Sequence, residues 1–370
     1  MSESHERALK ALEARGRLRS LSSRRGIDFS SNDYLGLGNS KALRLAVMEA
    51  IDRGVPVGAG GSRLLRGNDP EHEALEAEAS RFFGAETALY MGGGFQANTA
   101  IFSTLPQRGD LIVYDELIHA SAHDGMRLTR AETAAARHND ADAFAAAIRD
   151  WRHRGGTGRV WIAVETLYSM EGTTAPLDAL ARLADETGAI LILDEAHATG
   201  VFGPEGRGLG SALEGRPDVI SLHTCGKALG VSGALILAPA IFRDFLVNRA
   251  RPFIYATAPS PLMAAAVRAS LRLAAAAPER RQALHDRIAL VRGELEGRCG
   301  LPATKTQIQP IVVKSDTRAV AIANALQAQG FDIRAVRPPT VPEGTSRLRL
   351  SLTLNATAEE TEALISSLTN

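Results

Sequence analysis

Two stretches of the sequence decide the fold: residues 191–200 read LILDEAHATG, and residues 221–230 read SLHTCGKALG. Each places one reactive group, Asp194 or Lys227, at the end of an apolar run, where a turn begins. An acidic residue at the carboxyl end of a parallel strand faces the crevice in which α/β folds bind ligands. The pair therefore predicts an α/β fold with a binding site at its strand ends.

Apolar runs alternate with helical patterns around these two stretches. The runs are nearly continuous, as is typical of parallel strands buried on both faces. Predicted strands cover residues 87–91, 111–114, 160–165, 190–194, 219–223 and 233–237, and predicted helices cover 71–83, 94–105, 140–152 and 178–187. We expect a mostly parallel sheet between helices.

The two ends of the chain differ from this middle part. A polar helix is expected over residues 6–20, and one long helix rich in alanine and arginine over 261–298. Strands near 308–313 and 347–352 alternate with helices at 317–329 and 357–368, which is an α+β pattern. The prediction is an N-terminal segment over residues 1–37, a large domain over 38–265 and a small α+β domain over 266–370.

Composition excludes several classes of protein. Lysine plus arginine and aspartate plus glutamate both number 42, so no overall charge favours nucleic acid or an anionic membrane. The arginine-rich residues 15–25 are better explained as a solvated helix face or a substrate-anion site. Cys225 and Cys299 form neither a disulfide framework nor a metal-ligand spacing. With a charged N-terminus and no apolar run near the roughly 18 residues of a membrane helix, we expect a cytoplasmic protein without bound metal.

The residue types indicate a cofactor. A lysine able to form an imine, with a carboxylate able to hold a pyridinium nitrogen, is what pyridoxal phosphate (PLP) requires. Small residues flank Lys227, which argues against an ordinary surface lysine and for a lowered pKa that suits a nucleophile. For Asp194 the alternative is a helix N-cap, and for His119 a histidine at a helix start. The loop at residues 91–96, MGGGFQ, could bind an anion at a helix N-terminus, although it matches neither a Walker loop nor a dinucleotide fingerprint.

Six motifs in order along the chain resemble those of the α-oxoamine synthases, which are fold-type-I PLP enzymes. They are SNDYLGL (31–37), GGSR (60–63), DELIHAS (115–121), DEAHATG (194–200), TCGK (224–227) and RPPTVPEGTSRLR (337–349). The match runs from about residue 29 to the C-terminus. Six motifs in register are far more specific than any single one.

The resemblance implies roles for individual residues. Lys227 would bind PLP and act as the base at the α-carbon, Asp194 would pair with the pyridinium nitrogen, and His119 would stack on the ring. The remaining cofactor contacts implied are Gly93, Gly94, Phe95, Ser169, His197 and Thr224. Asn32 and Arg349 would bind the carboxylate of the amino acid, and Arg337 with an N-terminal arginine, Arg17 or Arg19, would face the acyl substrate. The chain departs from the family pattern at Gly93, where serine is expected.

The motif at 337–349 resembles family members that condense L-alanine with pimeloyl-CoA or a pimeloyl-acyl carrier protein and release CO2. Three alternatives remain: a sibling enzyme that uses glycine or serine with another acyl-CoA, an inactive partner subunit, and a nicotinamide-dependent enzyme. An inactive subunit would lose the lysine, and the nicotinamide class lacks its glycine fingerprint here. The resemblance also implies a homodimer with the active site at the subunit boundary, across which residues 251–257, RPFIYAT, would reach.

Overall fold

The structure is a computed structural model, and it describes residues 2–369. The chain divides into two compact units. The central unit comprises Leu35–Ser169 and Thr174–Arg281, and the terminal unit comprises Met1–Tyr34, Met170–Thr173 and Gln282–Asn370. The boundaries expected at residues 37 and 265 stay predictions, and their outermost residues, Met1 and Asn370, lie outside the described residues.

The helices begin and end at residues that suit helix termini. Asp69, for example, caps the helix Pro70–Phe83 with its side chain, and Gly84 ends that helix in the left-handed conformation. The helices are α1 (Glu3–Ala14), α2 (Lys41–Asp52), α3 (Pro70–Phe83), α4 (Gly94–Thr104), α5 (Ala120–Leu128), α6 (Ala141–His153), α7 (Leu177–Thr187), α8 (Ala240–Arg249), α9 (Arg251–Ile254), α10 (Pro261–Ala275), α11 (Pro278–Gly297), α12 (Asp316–Ala328) and α13 (Ala358–Thr369).

The strands form three sheets. They are β1 (Ile27–Asp28), β2 (Thr87–Met91), β3 (Leu111–Asp115), β4 (Glu132–Ala136), β5 (Val160–Glu165), β6 (Ile190–Asp194), β7 (Val219–Thr224), β8 (Ala234–Ala238), β9 (Ile308–Lys314), β10 (Phe331–Asp332), β11 (Ala335–Val336) and β12 (Ser346–Ser351). The central sheet has the order β2-β8-β7-β6-β5-β3-β4 and is parallel except for β8. The expected mostly parallel sheet is confirmed.

Both faces of the central sheet are buried. Ile112, Ile192 and Leu222 pack on one face in a cluster with α4 and α5. Val113 and Leu191 pack on the other face in a cluster with α6 and α7. Because both faces exclude water, these strands read as continuous apolar runs rather than alternating ones.

The terminal unit contains two small sheets. One is the antiparallel sheet β11-β12-β9, and the other pairs β1 with β10 in parallel. Phe29, Leu348 and Leu350 belong to its apolar core. This arrangement confirms the α+β character expected for the C-terminal part of the chain.

Two expected helices are wrong in their extent. The single helix over 261–298 is instead two, α10 and α11, because Pro278 lacks the N–H and the space that a continuous helix needs. Proline suits the first position of a new helix, where it stands in α11. The N-terminal helix ends at Ala14 rather than residue 20, and Gly16 then adopts a positive φ of 64°. That conformation favours glycine and stops the helix.

No helix within residues 2–369 is long and apolar enough to cross a membrane. In the same described part, no group of three or more histidine, cysteine, aspartate or glutamate side chains is placed to hold a metal ion.

Candidate functional site

The candidate site residues of the central unit follow strands that end at one edge of its sheet. The strands β3, β5, β6 and β7 are parallel to one another. Because β8 is antiparallel to both β2 and β7, β2 also runs in their direction. The loops after these strands carry Gly93, His119, Ser169, His197 and Lys227. This edge is where open α/β sheets bind ligands.

Asp194 ends β6 and is 6% exposed. Its Oδ1 accepts a hydrogen bond from the Ala196 N–H at 3.0 Å, and its Oδ2 accepts one from Asn98 at 2.8 Å. Residues 196–200 form turns, so Asp194 is not a helix N-cap. Among the described residues it forms no ion pair, and a buried carboxylate without a cation is costly.

Asn98 supports this carboxylate, and the sequence analysis missed it. It lies in α4, is 3% exposed, and donates from Nδ2 to Asp194 and also to Ser121 Oγ at 2.9 Å. Its Oδ1 accepts no hydrogen bond from any described residue. The one available signal was a polar amide on the apolar side of a predicted helix, which does not reveal its partner.

The amine of Lys227 lies beside an imidazole. Its Nζ is 2.7 Å from Nε2 of His197, which is buried. Lys227 follows β7 by three residues, and His197 follows β6 by three residues, so neighbouring parallel strands bring them together. At this distance the two nitrogens can share a hydrogen bond, so a proton can pass between Lys227 Nζ and His197 Nε2.

His119 caps the N-terminus of α5, in agreement with the alternative prediction of a histidine at a helix start. Its Nδ1 accepts the Ser121 N–H at 3.2 Å and lies 2.7 Å from Ser121 Oγ. The residue keeps an exposed edge, yet desolvation by the surrounding protein lowers the pKa of its imidazole, and the charge of Lys227 lowers it further against the opposing effect of Asp194. A neutral, partly solvent-exposed ring suits stacking on an aromatic ligand.

The glycine loop begins α4. Gly93 is the N-cap with an extended backbone (φ 177°), and the first N–H groups of the helix have no acceptors within it. A Cβ added at Gly94 would lie 2.7 Å from Cγ2 of Thr224, whereas one at Gly93 would meet nothing within 4 Å. Phe95 is 55% exposed. Glycine at position 94 therefore allows Thr224 to lie against this helix terminus, whose N–H groups can bind an anion.

Ser169 and Thr224 complete the predicted cofactor set, and both are buried. The Ser169 N–H donates to Glu165 Oε2 at 3.0 Å, and the Thr224 hydroxyl donates to the Ala196 carbonyl at 3.3 Å. Thr224 thereby ties the end of β7 to the turn after Asp194. Cys225, next to it, is buried, and burial raises the pKa of its thiol, which gives it no reactive character.

A buried polar network lies behind that turn and was not predicted. His223 Nδ1 lies 2.8 Å from Thr199 Oγ1, and its Nε2 lies 3.3 Å from Glu214 Oε1. Glu195 accepts the Leu209 N–H at 3.0 Å. Burial raises the pKa of Glu195 to about 7, against the opposing charge of His223. These hydrogen bonds stabilise the turn that carries His197.

Asn32 and Arg349 lie together in the terminal unit. The guanidinium of Arg349, which is buried on β12, donates to Asn32 Oδ1 at 3.1 Å and to the Tyr34 hydroxyl at 3.4 Å. A second nitrogen of Arg349 donates to Ser351 Oγ at 2.5 Å. An arginine held in this way presents a fixed cation for a carboxylate.

The N-terminal arginines differ in their partners. Arg17 donates to Asp316 at 2.6 Å and to both oxygens of Glu343, so its charge is neutralised within the terminal unit. Arg19 donates to Thr340 Oγ1 at 3.4 Å and pairs with no carboxylate among the described residues. Arg337 donates to the Gly16 carbonyl, and burial, followed by the charge of Arg19, lowers its pKa. Arg19 and Arg337 are therefore close, and Arg19 is the better of the two N-terminal candidates for an anionic substrate group.

Comparisons with known proteins show the family of this chain. The family model "Aminotransferase class I and II" matches residues 24–368. The 8-amino-7-oxononanoate synthase of Chromobacterium violaceum is 43% identical over 92% of this chain and 87% of its own length. That of Anaeromyxobacter sp. (strain K) is 39% identical over 97% of this chain and 93% of its own length.

Solved structures share the fold. Serine palmitoyltransferase of Sphingomonas wittichii superposes with a TM-score of 0.88 at 26% identity and covers 100% of this chain and 96% of its own. The 8-amino-7-oxononanoate synthase of Francisella tularensis gives a TM-score of 0.77 at 27% identity and covers 93% of this chain and 97% of its own. A structure of SPT with a PLP internal aldimine gives a TM-score of 0.84 at 26% identity and covers 92% of this chain and 86% of its own.

Proposed function

This chain belongs to the aminotransferase class I and II family and, within it, to the 8-amino-7-oxononanoate synthases, and from that premise we propose that it condenses L-alanine with a pimeloyl thioester. The products are 8-amino-7-oxononanoate, CO2 and the free carrier, either CoA or acyl carrier protein, in biotin biosynthesis. One observation carries the proposal. The buried carboxylate of Asp194, which forms no ion pair within residues 2–369, ends β6, and the amine of Lys227 follows the neighbouring strand β7 at the same sheet edge.

The residues present fit PLP. Asp194 offers a buried negative charge for a pyridinium nitrogen, and the start of α4 at Gly93 and Gly94, with Phe95 and Thr224, offers N–H and hydroxyl groups for a phosphate. His119 offers a ring face, and Ser169 and His197 offer polar groups for the ring oxygen. When bound, PLP supplies an electron sink that stabilises negative charge at the α-carbon of the amino acid.

Lys227 and Asp194 have the central roles. Lys227 would hold PLP through Nζ, and its amine would serve as the base that takes the proton from the α-carbon of alanine. His197, 2.7 Å from Nζ, accepts a proton from the lysine and so keeps the amine available as a base. Asp194, held by the amide of Asn98, would favour the protonated ring nitrogen of bound PLP.

Arg349 and Asn32 bind the carboxylate of alanine in this proposal. The orientation of that carboxylate would decide which bond at the α-carbon breaks, so these residues would act by positioning. The hydrogen bond from Arg349 to Asn32 fixes the guanidinium before substrate arrives, which reduces the entropy lost on binding.

Arg19 and Arg337 bind the terminal carboxylate of the pimeloyl chain. Arg17 is excluded from this role because Asp316 and Glu343 already neutralise it. Burial, followed by the charge of Arg19, lowers the pKa of Arg337, and an anion bound between the two arginines would relieve this repulsion. A thioester that lacks the terminal carboxylate should therefore bind more weakly.

The decisive experiment is an assay of CO2 release by the PLP-loaded enzyme with pimeloyl-CoA and, in parallel, L-alanine, glycine or L-serine. We expect alanine to give a kcat/KM at least roughly tenfold above the others, equivalent to about 1.4 kcal/mol of transition-state binding. Activity with glycine or serine but not alanine would overturn the proposal in favour of a sibling α-oxoamine synthase. An enzyme inactive with all three amino acids, both with pimeloyl-CoA and with a pimeloyl-acyl carrier protein, would contradict the reaction itself.

A further inference from the structure

A buried carboxylate and a histidine form a pair at the same sheet edge, and neither has a part in the site described above. Asp115 ends β3 and is fully buried, and His138 follows β4 by two residues with 19% of its side chain exposed. The Nδ1 atom of His138 lies 2.9 Å from Oδ1 and 3.1 Å from Oδ2 of Asp115. An ionised carboxylate can only accept hydrogen bonds, so Nδ1 of His138 carries a proton and is the donor.

Asp115 fixes the turn that leads to His119. Its Oδ1 accepts the Leu117 N–H at 2.9 Å, and its Oδ2 accepts the Asn139 N–H at 2.8 Å. Burial raises the pKa of the Asp115 carboxyl, but the hydrogen bonds from His138 and from these N–H groups hold that pKa below its usual range. The carboxylate is therefore ionised, and it holds the backbone two residues before His119.

His138 also contacts the loop that carries Ser169. The rings of His138 and Tyr168 form an edge-to-face pair, with 4.4 Å between the ring centroids and an interplanar angle of 89°. Tyr168 is fully buried and directly precedes Ser169, whose N–H donates to Glu165 Oε2 at 3.0 Å. Aromatic rings favour this edge-to-face arrangement over a face-to-face one, so the contact restricts the position of Tyr168.

The parallel sheet explains why these groups meet. β4, β3 and β5 are neighbours in the sheet, and Asp115 is level with Ala136 at the end of β4. The segments that follow these three strands therefore leave the sheet side by side at its carboxyl edge. His138, in the segment after β4, thus contacts both the turn before His119 and the turn before Ser169.

From these contacts we propose that His138 is a positioning residue of the cofactor site, which acts through Asp115 on His119 and through Tyr168 on Ser169. The inference rests on the proposed binding of PLP, in which His119 offers its ring face and Ser169 contacts the ring oxygen. In this role His138 itself touches neither cofactor nor substrate. By holding two ring contacts in place, it fixes the orientation of the bound ring and so the geometry in which the ring reacts.

The test compares His138→Leu with His138→Asn and measures the bound cofactor itself. Leucine removes both the donor to Asp115 and the aromatic contact with Tyr168. We expect the dissociation constant of PLP to rise roughly tenfold, because a hydrogen bond to a charged group is lost, and the visible circular dichroism per bound PLP to fall. His138→Asn keeps an N–H donor near the position of Nδ1 and loses the ring, so its values should lie between those of His138→Leu and the natural protein. His153→Leu, which replaces an exposed histidine at the end of α6, is the matched control.

Visible circular dichroism distinguishes positioning from a general loss of stability, because it reports the asymmetric surroundings of the ring. A His138→Leu variant whose dichroism per bound PLP equals that of the natural protein would overturn the inference, even if its melting temperature were lower. Equal values for His138→Asn and His138→Leu would also overturn it, because the hydrogen bond to Asp115 would then have no effect. If His138→Leu does not fold, His138→Asn decides: reduced dichroism supports the inference, and an unchanged signal overturns it.

These measurements do not depend on the proposed reaction. PLP affinity and dichroism are measured without amino acid or thioester, so an enzyme that is inactive with alanine still gives a result for His138. A natural protein that does not bind PLP would overturn the proposed function and this inference together. PLP binding that is the same in the natural protein and in His138→Leu, with the same dichroism, would overturn this inference alone.

Discussion

At the scale of single residues, the site depends on side chains that the motifs do not contain. Asp194 and Lys227 stand out in the sequence because each ends an apolar run. Asn98 does not, because its partner is 96 residues away and only the fold brings α4 beside β6. Likewise, the sequence made Arg17 and Arg19 equal candidates for the acyl substrate. The structure distinguishes them, because Arg17 forms ion pairs with Asp316 and Glu343.

The first prediction concerns Asn98. Replacing Asn98 by alanine removes a hydrogen bond to a buried carboxylate, which typically contributes about 1.5–3 kcal/mol. We expect the dissociation constant of PLP to rise by roughly tenfold or more in a fluorescence titration of the apoenzyme. Asn248→Ala is the control, because Asn248 is an exposed amide on α8 that donates to the Asp244 carbonyl. Unchanged PLP affinity in Asn98→Ala would show that Asp194 does not need this support.

The second prediction concerns Glu195 and pH. Burial raises its pKa from 4.5 to about 7, so between these values the folded protein keeps a proton that the unfolded chain releases. The free energy of unfolding therefore falls as pH rises through this range, by up to about 3 kcal/mol at 1.36 kcal/mol per pKa unit. Glu195→Gln removes this dependence because the amide does not ionise.

Denaturant unfolding at fixed protein concentration between pH 5 and 8 checks the second prediction. The natural protein should lose more stability than Glu195→Gln as pH rises, since the other titrating groups are common to both. Parallel curves would mean that the backbone N–H donors of Leu209 and Gly210 keep Glu195 ionised in the folded state.

At the scale of helices and strands, the apolar pattern predicts most strands of the central sheet. It misses the exposed edge strand, and it does not show the direction of any strand. β4 reads ETAAA and is an edge strand that is largely exposed, so it has no apolar run to reveal it. β8 matched its predicted run, but nothing in that run shows its antiparallel direction. Pro278 alone marks the break between α10 and α11, and the alanine-rich residues 264–277 before it favour a helix that continues.

The third prediction concerns the start of α4. In Gly94→Ala, the new Cβ would meet Cγ2 of Thr224 at 2.7 Å, so Thr224 or the helix must move. We expect PLP to bind roughly tenfold more weakly, with little change in the thermal stability of the apoenzyme. Gly93→Ala is the matched control, because its Cβ meets nothing within 4 Å and its φ of 177° suits any residue. Equal PLP affinities in the two variants would argue against a phosphate at this terminus.

At the scale of the whole molecule, family membership follows from the order of six motifs, which no single element provides. The sequence predicted the fold class and the α+β character of the C-terminal part correctly. It could not show that residues 1–34 belong to the same compact unit as residues 282–370, because that depends on pairing such as that of β1 with β10. Contacts between distant segments leave no local pattern.

The fourth prediction concerns assembly. We propose a homodimer, since the resemblance places the active site at a subunit boundary and Tyr255, in the segment 251–257, is exposed on the single chain. Light scattering of the PLP-loaded protein should give twice the mass of the chain. A fully active monomer would refute the shared site.

The central claim is that Lys227 binds PLP. The most direct measurement is borohydride reduction of the yellow PLP-loaded protein, followed by peptide mapping of the labelled residue. We predict loss of the visible absorption band and a phosphopyridoxyl label on the peptide that contains Lys227 alone. A protein that stays colourless with PLP, or a label on any other lysine, would contradict the account.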